Sequence, residues 1–188
     1  MGKSRSKVYF GALLAAFLFL APSSSWAILT HISHIKHIGD PVYVSALKSF
    51  KKKDYHAAYS QWLSIAKTGN SKAQYYIGYM YLNGLYVQKD LNQARFWFER
   101  AAGRGDPDAQ NDLGTLYLNG QGVHKNLDIA MKWFQLSAKQ GHPVAQYNLG
   151  VIYTIRSKFR NARIWFEASA MQGYAKANFH LRRLLGLI

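Results

Sequence analysis

The chain has no cysteine among its 188 residues. That excludes a disulfide-stapled domain, a thiolate metal site, a lipid anchor on an N-terminal cysteine and a cysteine nucleophile, so stability must come from packing. Acid is scarce as well: nine Asp and Glu stand against 24 Lys and Arg, a formal charge of +15. Only Glu99 and Glu167 are glutamates, and each follows a Trp-Phe pair, so a repeating pattern explains both. A paired-carboxylate site would need two acids converging on one cleft, and the two glutamates give no sign of one. No HExxH, Gly-rich phosphate loop or Ser-His-Asp order occurs. The expectation is a chain that is not an enzyme, with no cofactor and no small-molecule substrate. Apolar material is plentiful, 49% of residues with 15% aromatic, which excludes disorder for most of the chain.

Residues 1–27 read as a targeting segment. Lys3, Arg5 and Lys7 precede the apolar run Val8 to Ala21, whose 14 residues are too few to span a bilayer core of about 30 Å as a helix. Pro22 breaks the run, and Ser25-Trp26-Ala27 places small residues where a signal peptidase cuts after Ala27. An uncleaved anchor would need the helix to continue past Pro22 and three serines. The expectation is export, to a bacterial periplasm or out of the cell. From Ile28 onward 21 basic residues face nine acidic ones, a net charge of +12 that attracts anionic polymers, lipid headgroups or acidic proteins. Nucleic acid is not expected in that compartment.

Self-comparison at a shift of 36 aligns Ser71–Asp106 with Pro107–His142, pairing Ala73 with Ala109, Gly78 with Gly114, Tyr81 with Tyr117, Ala94 with Ala130, Trp97 with Trp133, Phe98 with Phe134 and Gly105 with Gly141. A third copy starts at Pro143 and holds that shift through Tyr153. From Ala162 to Gly173 the shift becomes 32, because four residues are missing from the loop. Apolar residues at three- and four-residue steps, such as Ala73, Ile77 and Tyr81 or Ala94, Phe98 and Ala101, make each half-unit an amphipathic helix. Asp90 and Asn126 stand as N-caps, with Gln93 spaced for a capping box, and Gly105, Gly141 and Gly173 close the second helices. Tyr81, Trp97 and Phe98 are expected between neighbouring pairs. The array divides into a leader at 28–41 and a repeat domain at 42–188. Within the domain lie a half repeat at 42–70, repeats at 71–106, 107–142 and 143–174, and a capping helix at 175–185.

The pattern of AQYxxG or AQxxLG, Tyr three on, a Gly-containing loop, Asp or Asn, Ala-x-x-Trp-Phe and Ala-x-x-Gly resembles the Sel1-like repeat, a relative of the tetratricopeptide repeat. The resemblance implies an all-α, right-handed α-solenoid of stacked antiparallel helix pairs, whose first helices line a concave groove that binds other proteins. Counted from the shared glycine, the groove positions are Lys72, Tyr75, Tyr79, Leu82 and Asn83, then Asp108, Asn111, Thr115, Leu118 and Asn119, then Val144, Tyr147, Val151 and Thr154. These vary between copies while core positions repeat, which marks them as free of packing duty. Tyrosines offer contact area at low entropic cost and asparagines can pair with a ligand's amides, so a protein or peptide partner is expected there. Departures from the pattern include Tyr86 at the second loop glycine, and Arg182 where Gly78, Gly114 and Gly150 stand.

Two further clusters stand out. Lys48, Lys51, Lys52 and Lys53, then Arg156, Lys158, Arg160 and Arg163, then Arg182 and Arg183, are solvated charge or a contact for an anionic envelope polymer or membrane surface. His31, His34 and His37 recur every three residues, close enough on a helix to form a weak metal candidate, each followed by an isoleucine suited to docking on the first helix pair. No carboxylate at matched spacing accompanies them. A peptide covering Ile28 to Gly39 is therefore expected to show no tight zinc or copper binding by calorimetric titration, and tight binding would establish a three-histidine site.

Overall fold

A computed structural model describes residues 40–187. Among these residues there are nine α-helices and no strand: α1 Pro41–Lys51, α2 Tyr55–Lys67, α3 Ser71–Asn83, α4 Leu91–Gly103, α5 Pro107–Asn119, α6 Leu127–Lys139, α7 Pro143–Ile155, α8 Phe159–Met171 and α9 Ala175–Leu184. Each helix packs on the next along the chain, giving a solenoid of helix pairs closed by α9. The segment 42–70 matches the repeat only through its second half, yet it holds two helices, α1 and α2. None of the described helices is long and apolar enough to cross a membrane.

Helix boundaries follow from short polar side chains. Asn70 and Asp106 accept from the backbone N–H of Ala73 and Ala109, and Asp54, Asp90 and Asn126 do the same at the second helices. The box expected of Gln93 is only half formed: Asp90 accepts from the N–H of Asn92 and Gln93, but its own N–H donates to the carbonyl of Tyr81. That bond closes the preceding loop instead. Gly105, Gly141 and Gly173 follow the second helices at φ of +88°, +87° and +82°, the left-handed region that lets the chain turn into the next unit.

One contact recurs inside each of the three glycine-bearing pairs. A β-carbon built on Gly78 would lie 2.7 Å from the ring of Phe98, on Gly114 2.8 Å from Phe134, and on Gly150 2.7 Å from Phe166. Each ring fills the space a side chain would need and is fully buried, worth about 1.5–3 kcal/mol per ring. Phe98 thus packs within its own pair and, as expected, also lies in the core shared with Ala109, Leu113 and Leu116 of the next one. Tyr81 and Trp97 do work across the junction: both lie against the core of the first three helices, and the Tyr81 hydroxyl is 3.0 Å from that of Tyr59. In the first pair Trp62 takes the ring position, 36 residues before Phe98, and it too is fully buried.

Neighbouring pairs are joined by the glutamine of the AQ motif. Gln74, Gln110 and Gln146 donate to the carbonyls of Ala66, Ala102 and Ala138 at the end of the preceding helix. Gln140 and Gln172 then bond the side-chain oxygens of Gln110 and Gln146. Loops differ in length: residues 84–90 and 120–126 form long ones, whereas 52–54 and 156–158 are short. In the short loops Lys53 and Ser157 take the left-handed conformation at φ of +64° and +55°.

Gly78→Ala is expected to destabilise the chain by about 1–3 kcal/mol in denaturant unfolding, because overpacking outweighs a helix-propensity gain of about 1 kcal/mol. Combined with Phe98→Leu, the two costs should fall well short of additive, since the smaller side chain makes room for the methyl.

Candidate functional site

The first helices α3, α5 and α7 present the residues expected to line a groove, and the structure ties many of them to one another. Lys72 forms an ion pair with Asp108, and its Nζ lies 3.1 Å from Oδ2 of the fully buried Asp106. Asp108 in turn accepts from Nε2 of His142 at 3.1 Å, while Nδ1 of the same ring accepts from the N–H of Ala145 as the N-cap of α7. That pair of bonds fixes the proton on Nε2. One step further along the helices, Asn111 donates to Asp112, and Asn148 donates to Asn111 at 3.1 Å. Beyond these, the Tyr147 hydroxyl meets Nε2 of His180 on α9 at 3.2 Å. A ladder of polar side chains thus crosses the repeats from α3 to α9.

Charge is unevenly placed within it. In a chain of net charge +15, three aspartates lie at the start of α5. Burial pushes the Asp106 carboxyl up, against the pull of Lys72. Asp108 is also desolvated, but the hydrogen bond from His142 and the charge of Lys72 outweigh burial and hold it well below the usual carboxylate range. Asp112 is raised to about 6, mainly by burial and also by the charge of Asp108, despite the hydrogen bond from Asn111. Burial, then the negative charges of Asp112 and Asp108, push the Tyr75 hydroxyl far up, so it serves as a donor. For Lys72 the cost of burial is overcome by Asp106 and Asp108, and its ammonium is held above the ordinary range.

This arrangement corrects the expectation that the variable first-helix positions carry no packing duty. Lys72, Asp108 and Asn111 are committed to cross-repeat bonds, and Asn111 is buried. Tyr75 stacks on Phe98 at 5.8 Å between centroids, and Tyr147 lies against Phe166 and Tyr174. Tyr79, Thr115 and Val151 are half-buried, while Asn83 and Asn119 are exposed at the ends of α3 and α5. Of the basic cluster, Lys51, Lys52, Lys53, Lys158 and Arg160 are exposed, but Arg156 is not free: its guanidinium bonds Asp128 and Met131, pinning the short loop to α6. His31, His34 and His37 lie outside the described residues. Among the described residues no group of three metal-ligating side chains forms.

Asp112, His142, Asn148 and His180 were not singled out by sequence reasoning. A signal existed: Tyr76, Asp112, Asn148 and His180 occupy one repeat position, two before the shared glycine or its replacement Arg182, and that position changes in every copy yet stays polar.

The helix pairs, the glycine-to-ring contacts and the glutamine links define an α-solenoid repeat protein. The Sel1 repeat profile matches residues 71–106, 107–142 and 143–174, more than half of the chain, and the chain belongs to that family. Among solved structures it is similar to a Sel1 repeat protein from Oxalobacter formigenes, 30% identical with a TM-score of 0.69, over 74% of this chain and 59% of that one. It is also similar to a protective antigen of uropathogenic Escherichia coli displaying the same fold, 35% identical with a TM-score of 0.66, over 69% of this chain and 28% of that one. The chain therefore spans less than two thirds of either relative. No curated protein matches it.

The pH dependence of stability should carry the mark of α5. A carboxyl raised in the fold, as in Asp112, adds stability as pH falls from about 6 toward the ordinary carboxylate range, whereas the depressed Asp108 removes stability below that range. Asp112→Asn is expected to raise unfolding free energy at pH 7.5 by about 1–3 kcal/mol and to shrink the rise in stability between pH 6.5 and 4.5, the remainder coming from the raised Asp106, read by urea titration at each pH.

Proposed function

We propose that this Sel1 repeat chain is an exported scaffold that holds a protein partner along the exposed face of its first helices. What supports the reading is the polar ladder. Side chains on α3, α5, α7 and α9 are locked by cross-repeat bonds from Lys72 to His180, so the surface beside them is preorganised and a partner loses little entropy in ordering it. Residues with free area beside the ladder, Tyr79, Asn83, Thr115, Asn119 and Val151, combine aromatic, amide and aliphatic contact in one strip. The family is a scaffold fold, and such repeats generally bind proteins. Export rests on residues 1–27, whose charged start, apolar run and small residues at 25 and 27 suit a cleaved signal.

The test is affinity capture with the secreted or periplasmic product, its N-terminus read by mass spectrometry. A first residue of Ile28 is expected, and a chain retained in the cytoplasm with Met1 intact would end the export reading. Partner capture should survive a rise to about 0.5 M salt, where Lys and Arg contacts to an anionic polymer are screened. Replacing Tyr79, Asn83, Asn119 and Val151 with alanine should abolish capture with helicity unchanged, and undiminished capture by that variant would remove the first-helix face as the binding surface.

A further inference from the structure

The junction of α7 and α8 with α9 departs from the one before it. Ala177 keeps the fully buried place of Ala145, and Phe166 that of Phe134, so the backbone packs in the same way. Other positions are exchanged. In register with Leu118, Leu127, Asn148 and Val151 stand Thr154, Phe159, His180 and Arg183. Leu118 and Leu127 pack against the upstream core, whereas the smaller, polar Thr154 and the cationic Arg183 leave the downstream site unfilled. The result is an open cleft of about 570 Å³ lined by Thr154, Phe159, Phe166, His180, Arg183 and Leu184. Its volume falls in the range of natural ligand sites.

The floor and rim of this cleft differ in chemistry. Phe166, packed on Gly150, closes the cleft from beneath at 1% exposure, so the apolar floor open to an occupant is Phe159, which is 53% exposed. His180 is held in place by the Tyr147 hydroxyl and by its edge-on packing against that ring. Arg183 is exposed and has no hydrogen-bond or ion-pair partner among the described residues, and the same holds for the side chains of neighbouring Lys158, Arg160 and Arg182. The one acid on α8, Glu167, is taken by Arg163. An apolar slot rimmed by unpaired cations selects an occupant that is apolar at its tip and acidic beside it, and it repels a second copy of this basic chain.

We propose that the cleft between α7, α8 and α9 receives an acidic segment of a partner protein, with one large apolar side chain seated on Phe159 and an adjacent carboxylate paired with Arg183 beside His180. It rests on the scaffold reading but places contact at the end of the array, away from the strip around Tyr79 and Asn119.

Fluorescence anisotropy with labelled peptides tests it, each carrying a central leucine, phenylalanine or alanine flanked on both sides by two glutamates. The leucine and phenylalanine peptides should bind the full chain at least about tenfold tighter than the alanine peptide, because the floor reads the side chain. Thr154→Leu, which restores the upstream filling, should abolish that difference while leaving thermal stability equal or higher. Arg183→Glu should weaken all three peptides by about tenfold or more. Equal binding of the three peptides, or a leucine preference that survives Thr154→Leu, would overturn the proposal, since either outcome reduces it to attraction by a basic surface. If the peptides do not bind and phosphatidylglycerol vesicles sediment the chain but not Thr154→Leu, the occupant is a lipid and the proposal also falls. The alanine variant of Tyr79, Asn83 and Asn119, which leaves Val151 on the Phe166 core intact, should bind the peptides normally, which separates failure of the cleft from failure of the strip.

Discussion

An aromatic ring lying where glycine has no side chain brings the two helices of a pair together, and the rest of the array depends on that contact. Gly78, Gly114 and Gly150 expose bare backbone to Phe98, Phe134 and Phe166, so ring and helix meet with no intervening atom. Glycine in a helix interior costs about 1 kcal/mol relative to alanine, a cost offset here by burying a whole phenyl group. In the first pair Trp62 supplies a larger ring. Once a pair is closed, its outer face is apolar and needs the next pair, and the AQ glutamines hold the two in register by bonding carbonyls at the end of the preceding helix.

The same regularity governs how much could be read from the residues. Packing positions repeat at 36 because each unit solves one steric problem, so helix content, pair order and the shortened third loop were legible. The candidate surface was legible only in location. Variation between copies reads as freedom from structural duty, yet Lys72, Asp108 and Asn111 differ from their counterparts because each bonds a different neighbour one repeat away. A polar bond across a junction needs two complementary groups, and that complementarity has no period. The N-cap position shows the same logic: Asn70 caps only its own helix through Ala73, whereas Asp106 caps α5 and also meets Lys72, and His142 caps α7 and also reaches Asp108.

Electrostatics explain why the ladder sits at α5. A strongly basic chain repels itself, and three aspartates gathered near Lys72 and His142 place negative charge at the middle of the array. Burial makes that placement costly for all three, but Asp108 alone gains both Lys72 and His142 as partners, and they outweigh the cost.

Completion of a pair by its successor accounts for the two kinds of end. Long loops reach backward: Val87 packs on the core of α1 to α3, Val123 on that of α4 and α5, and a β-carbon on Gly122 would lie 2.8 Å from Leu91 at the start of α4. The short loop at 156–158 cannot reach so far, and Arg156 substitutes for it by gripping Asp128 and Met131 of α6. Phe159, the counterpart of Leu91 and Leu127, is more than half exposed. Arg182 stands at the glycine position of α9 and is exposed. Exposure of Phe159 and the open cleft beside it are thus consequences of the repeat's own packing rule, applied at the position where that rule stops being satisfied.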